Sequence, residues 1–206
     1  MALLGVGSRQ PGDRRRTRVA WVAGAVACVL ACLLAAISPA SSVFAAEQSR
    51  ALEQQVKAAF LFRFGSYVEW PQQTFADAES PWTIGVVDSD GLSDELLRVT
   101  ANRTVNGRPV AVRRIRGGEV PSNVQVLFIG QSAAGQSAEL LRQTQKRPIL
   151  TVTESDAGLT EGSVINFVVV DKRVRFEVSL EAAERNRLKI AAPLLSVALR
   201  VRDKGQ

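Results

Sequence analysis

The sequence predicts an α/β fold: a mixed, mostly parallel sheet flanked by helices, with a C-terminal β-hairpin and terminal helices. Short apolar runs recur between segments of about ten residues with helical periodicity, the pattern of a parallel sheet covered by helices. Two β-branched, aromatic runs then follow one another across a short polar link, which reads as an antiparallel hairpin. About 160 residues remain once the first 45 are set aside, a length that suits one domain with its own core.

The first 45 residues read as a leader. Arg14, Arg15, Arg16 and Arg18 form a basic region, residues 19–37 carry no charge, and Val43-Phe44-Ala45 places small residues where a signal peptidase needs them. This predicts a secretory signal peptide over residues 1–45, cut after Ala45, followed by a single domain at 46–206. The apolar run is also nearly long enough to span a bilayer, so an anchor through residues 19–37 is the alternative. The leader holds five of the 26 basic and one of the 20 acidic residues, leaving 21 against 19 and lowering the net charge from +6 to +2. A nucleic-acid-binding reading thereby loses its main support. Both cysteines, Cys28 and Cys32, also lie in the leader. The exported domain must therefore be held by its core rather than by disulfides.

The elements follow in order. Residues 53–69 read as a helix in which Val56, Phe60, Phe64 and Tyr67 form one stripe facing the sheet. Leu61 and Phe62 project from another side, so this helix is apolar on more than one face. Two covers are expected for the extra face: the C-terminal helix through Leu194, Leu195, Val197, Ala198 and Val201, or a second protein. Pro71 disfavours helical geometry at Trp70 and ends the run. "WTIGVVD" (82–88) is a strand, and "LSDELLRVTAN" (92–102) a helix with Ser93 placed as its cap and two acids in its first turn. "RPVAVRRI" (108–115) follows the turn pair Asn106-Gly107. "VQVLFIG" (124–130), the helix 136–145 and "PILTVT" (148–153) continue the alternation. The hairpin pairs "SVINFVVV" with "VRFEVSL" across Asp171-Lys172-Arg173, a turn without the glycine that the tightest loops favour. One helix follows Ser179, and another runs from about Ala192 to Arg202 with Pro193 in its first turn.

The domain has no histidine and no cysteine. Ser-His-Asp and Cys-His catalysis, histidine-bound zinc and thiol redox chemistry are thus excluded. "GQSAAG" around Ser132 misses the G-x-S-x-G spacing and has no histidine to activate it. Neither a catalytic residue, a cofactor site nor a metal site is expected, and the chain reads as a non-enzyme.

The segments "QVKAAFLFRFGSYVEWP", "WTIGVVDSD", "NGRPVAVRRI", "VQVLFIG" and "PILTVTESDAGLTEGSVINFVVVDKRVRFEVSLEAAERNRLKIAAPLLSVA" together resemble the YfiR/HmsC-like family over about residues 53–200. The most specific pieces are "KAAFLF" leading to "EWP", and "GSVINF" followed by "VRFEV" and the Leu194-Leu195 pair. The resemblance implies a periplasmic signalling regulator without catalysis. Such a regulator binds the periplasmic part of an inner-membrane diguanylate cyclase or similar sensor and holds it inactive, which bears on cyclic-di-GMP signalling and biofilm formation. An OmpA-like outer-membrane lipoprotein can relieve that inhibition by sequestering the regulator. Many relatives carry a cysteine at the strand that begins here with Val124-Gln125; its absence puts their redox control in doubt for this chain.

The resemblance does not locate the interface. For a partner or a homodimer the candidates are Leu61 and Phe62, on the second apolar face, with Arg175 and Glu177, which flank Phe176 on the outer side of the hairpin. A mutual or cross-strand ion pair is the structural account of the latter two. For a small ligand the candidates are Asp88, Asp90, Gln131, Ser132, Glu154 and Asp156, grouped where strands of a parallel sheet end. Solvated loops and helix caps are the structural account there. This crevice gives the alternative function, a periplasmic small-ligand receptor. Arg113, Arg114 and Arg116 form a basic patch that alternation splits between two faces.

Overall fold

The computed structural model describes residues 38–203, with side-chain environments from residue 46 onward. The leader features at residues 1–37 lie outside the described residues. The chain divides into residues 1–49 and 50–206, and the whole sheet belongs to the second unit. Helix α1 (Ser38–Tyr67) leads into β1 (Val68–Glu69), β2 (Trp82–Val87), α2 (Asp90–Thr100), β3 (Thr104–Val105), β4 (Arg108–Ile115) and β5 (Val126–Ile129). Next come α3 (Ser137–Thr144), β6 (Leu150–Thr153), α4 (Gly158–Glu161), β7 (Ile165–Val170), β8 (Arg173–Ser179), α5 (Leu180–Arg185), β9 (Lys189–Ile190), α6 (Ala192–Val197) and β10 (Arg200–Arg202).

Eight strands form one sheet in the order β10-β8-β7-β6-β5-β2-β4-β3. β4, β2, β5, β6 and β7 are mutually parallel, β10 is parallel to β8, and the pairs β7/β8 and β3/β4 are antiparallel. The predicted fold class is therefore the observed one. β1 and β9 form a separate antiparallel ribbon that ties the end of α1 to the C-terminal region. The fully buried alternation of the central strands divides into two cores. Ile84, Val86, Val126, Phe128, Val152 and Phe167 face α1 and α2, whereas Val87, Leu127, Ile129 and Ile149 face α3 through Leu140 and Leu141.

Both hairpins close on two residues with positive φ: Asn106 (51°) and Gly107 (80°) in one, Asp171 (50°) and Lys172 (59°) in the other. The register Val170↔Arg173 makes the second a two-residue loop. Twisted strands demand this left-handed turn geometry, and here it is met without glycine.

Several expectations need correction. Ser93 does not cap α2: the helix begins at Asp90, Ser89 occupies the cap position, and buried Ser93 donates its hydroxyl to the Ser89 carbonyl at 3.0 Å. Ser179 does cap α5, its Oγ accepting from the Ala182 N–H at 3.2 Å. The last helix stops at Val197 because the Leu199 N–H bonds to the Phe176 carbonyl (2.8 Å), and the chain then pairs with β8 as strand β10. Of the predicted stripe, Phe64 is buried and Phe60 and Tyr67 pack half-buried against the core, but Val56 is 41% exposed, so the fully buried face is turned from the one expected. The buried face is Lys57, Ala58, Leu61, Phe64 and Gly65. Leu61 is thus core and cannot contribute to an interface.

Phe60 remains half-buried and joins Phe64, Phe128, Phe167 and Phe176 in a cluster with ring centroids 5.4–6.3 Å apart. The rings of the first helix therefore exist to hold the C-terminal hairpin against α1. Leu194 belongs to the same core, while Val197 is 59% exposed, so the C-terminal helix covers only part of what was expected.

At Gly65, α1 lies close against the sheet. A Cβ there would lie 2.7 Å from Val105 Cγ1 and 2.8 Å from the Trp82 ring. Gly65→Ala should destabilise the domain by about 1–3 kcal/mol in urea unfolding, despite alanine's better helix propensity, because either the helix or Trp82 must move. A gain in stability would show that the contact relaxes freely.

Candidate functional site

The carboxyl ends of the parallel strands are organised by Lys57. Its ammonium is buried and pairs with Glu53 one helical turn earlier (2.5 Å) and with Glu154 just after β6. Glu154 also accepts the Gln131 N–H at 2.8 Å. Burial pulls the Lys57 ammonium down, but hydrogen bonds to Glu154 and Glu53 outweigh it and hold its pKa above 10.5. Beside this site the backbones of β2 and β5 close on each other. The Gly130 N–H bonds to the Val87 carbonyl (3.2 Å), and a Cβ on Gly130 would sit 3.1 Å from Ser89 Cβ.

Part of the expected ligand set is therefore engaged within the protein. Glu154 is satisfied by Lys57 and the Gln131 amide, so it is not an open acceptor. Asp90 is drawn toward Arg114 (4.0 Å) and Arg116 (3.9 Å), and Asp94 pairs with Arg114. Arg113 donates to the Asn123 side chain at 3.0 Å, so the basic patch is spent on local contacts. Asp88, Ser132, Asp156 and the side chain of Gln131 lie exposed at the loop surfaces. Gln131 and Glu154 are thus joined, and Asp90 is turned to the other side of β2. Among the described residues no group of three or more acidic side chains is gathered to hold a metal ion.

Of the interface candidates, Phe62 is half-buried at the core margin, with the Arg103 guanidinium 5.5 Å over its ring. Glu177 pairs across strands with Arg200 at 3.5 Å, the cross-strand alternative expected for it. Arg175 is exposed, and among the described residues no carboxylate lies within ion-pair distance of it or of Arg173. A groove of about 630 Å³ runs beside these arginines, between the hairpin and the α6–β10 link.

The sequence reading missed a second groove, of about 350 Å³, lined by Trp70, Phe75, Trp82 and Arg108. The Arg108 guanidinium stacks 3.9 Å over Phe75 and donates to the backbone carbonyls of Asp77, Ala78 and Ser80 at 2.7–3.0 Å. Trp70 packs edge-on to Trp82 at 6.0 Å, and among the described residues neither indole N–H has an acceptor. Trp70 of "EWP", followed by Phe75 and Trp82, was the available signal for this groove.

A family model described as YfiR/HmsC-like matches residues 54–199. The chain belongs to the YfiR/HmsC-like family. This is a family of periplasmic, non-catalytic regulators of cyclic-di-GMP signalling. Among the described residues no helix is long and apolar enough to cross a membrane. The motif residues have structural reasons for their places. Lys57 of "KAAFLF" is the buried cation, and Trp70 of "EWP" packs on Trp82. Asn166 of "GSVINF" accepts from the Thr153 hydroxyl at 2.8 Å inside the core. Gly158 leaves room for that bond, since a Cβ there would meet Thr153 Oγ1 at 2.1 Å.

Replacing Lys57 by methionine should cost about 2–3 kcal/mol, since Glu154 loses a charged hydrogen-bond partner in a partly buried setting. A folded-state pKa raised above 10.5 means that the Lys57 contribution is complete below that value and is lost as pH rises through the folded value. The stability gap between wild type and Lys57→Met, measured by urea unfolding, should thus stay constant through the neutral range and shrink only in strong alkali. A gap that closes near neutrality would contradict a charged, paired lysine.

Proposed function

We propose that this protein is exported to the periplasm, where it binds the periplasmic part of an inner-membrane diguanylate cyclase and holds that enzyme inactive. The observation that carries this reading is the continuous family match over residues 54–199. A binder represses only by differential affinity, preferring the inactive conformation of its partner. The exposed hairpin arginines, which have no carboxylate within ion-pair distance among the described residues, and the neighbouring groove are consistent with a role in protein–protein contact. An OmpA-like outer-membrane lipoprotein that sequesters the regulator would relieve repression by mass action. A small-ligand receptor using the strand ends is the alternative: Asp88, Ser132 and Asp156 are exposed there, whereas Glu154 is engaged by Lys57 and the Gln131 N–H.

The test is the cellular cyclic-di-GMP level in a strain lacking the gene, complemented with the full chain or with residues 46–206 alone. Deletion should raise the level, and only the exported full chain should restore it. An unchanged level under conditions where the gene is expressed would contradict repression of a cyclase. Restoration by the unexported form would contradict the periplasmic site of action.

A further inference from the structure

We propose that the outer edge of β8, beside the α6–β10 link, is the partner-docking site and accepts an extended, acidic segment of the partner as an added β-strand. This rests on the regulator reading above and specifies the chemistry of its contact. The edge is open by construction. β10 pairs with β8 only over Glu177–Ser179, and the Phe176 carbonyl is the last outward group taken, by the Leu199 N–H. Backbone groups two residues apart on a strand point the same way, so the N–H and C=O of Val174 face outward at a level that no strand covers among the described residues.

The side chains around this edge are of two kinds. Val170, Val197 and Leu199 are 40%, 59% and 49% exposed and line one groove with the charged side chains of Arg173, Arg175 and Asp171, two cations against one acid. Glu177, the nearest acid on the same face of the strand, is already engaged by Arg200 at 3.5 Å. Arginines alone would read as protection of a free edge against chance pairing. The aliphatic groove next to them works against that purpose and calls for a cover.

Charge selects the occupant. A second copy pairing antiparallel through the same edge would set Arg173 and Arg175 against their counterparts, and like charges directly opposite destabilise a strand pair. A strand alternating acidic with aliphatic residues meets both features at once. Its acids answer Arg173 and Arg175, its aliphatic side chains fill the groove, and its backbone pairs with Val174. Recognition by an added strand takes affinity from the main chain and specificity from alternate side chains.

The test has two arms. In the deletion strain, wild type is compared with Arg173→Glu/Arg175→Glu and with Val174→Pro, which removes the outward N–H without touching charge. Thermal unfolding confirms that each variant is folded. If wild type restores low cyclic-di-GMP and the folded variants do not, the edge is the docking site. If the folded variants restore it equally well, the proposal is overturned while the regulator reading stands. Independently of that reading, the purified full chain is titrated with an end-blocked peptide of about eight alternating glutamate and valine residues, and with its lysine–valine counterpart. Only the acidic peptide should bind, weakening with salt and falling at least about tenfold in the double arginine variant. Equal binding of both peptides, or binding of neither, would overturn the proposal whatever the cellular arm shows.

Discussion

The structure depends on how closely α1 can lie on the sheet. At one end a missing side chain sets the distance, since Gly65 leaves no room between the helix and Trp82 or Val105. At the other end a charge sets it, since Lys57 reaches Glu154 across the sheet's rim. Burying an ammonium is unfavourable unless partners replace its water, and here two carboxylates do so. Between these points Phe60 and Phe64 bind the face of the hairpin, so the long segment β7–β8, which projects past the other strands, is backed by the helix rather than left as a free arm.

Open parallel sheets offer ligands a crevice at their strand ends, where connections leave in opposite directions. In this protein part of that place holds internal contacts. Lys57 neutralises Glu154, and Gly130 lets the β5 end close against β2. At the opposite side a sheet edge, supported from behind by a ring cluster, carries Arg173 and Arg175, with Asp171 of the hairpin turn beside them. A stiff backing suits a regulator that works by binding, since docking then requires little ordering of its own surface.

Much of the fold is legible in the sequence because its signals are local. The strand Arg108–Ile115 and the turn Asn106-Gly107 follow from pattern and turn chemistry, as does the helix after Ser179. The failures share a cause. α1 is apolar almost all round between Ala58 and Phe64, so periodicity cannot choose its inner face. The choice is made partly by a carboxylate 97 residues away. β10 continues the helical pattern of the preceding residues and becomes a strand only because β8 offers it an edge. The candidate site was half legible: Arg175 is where alternation placed it, but the state of the crevice depends on Lys57, whose burial no local rule announces.

The central claim is that the partner is met at the β8 edge and not at the strand-end crevice. The most direct test places a photo-reactive amino acid at Val197 or, in a second strain, at Gln131, both exposed positions. After illumination of living cells, adducts are identified by mass spectrometry. The account predicts a covalent adduct with an inner-membrane diguanylate cyclase from position 197 and none from position 131. An adduct with that enzyme from position 131 alone would contradict it.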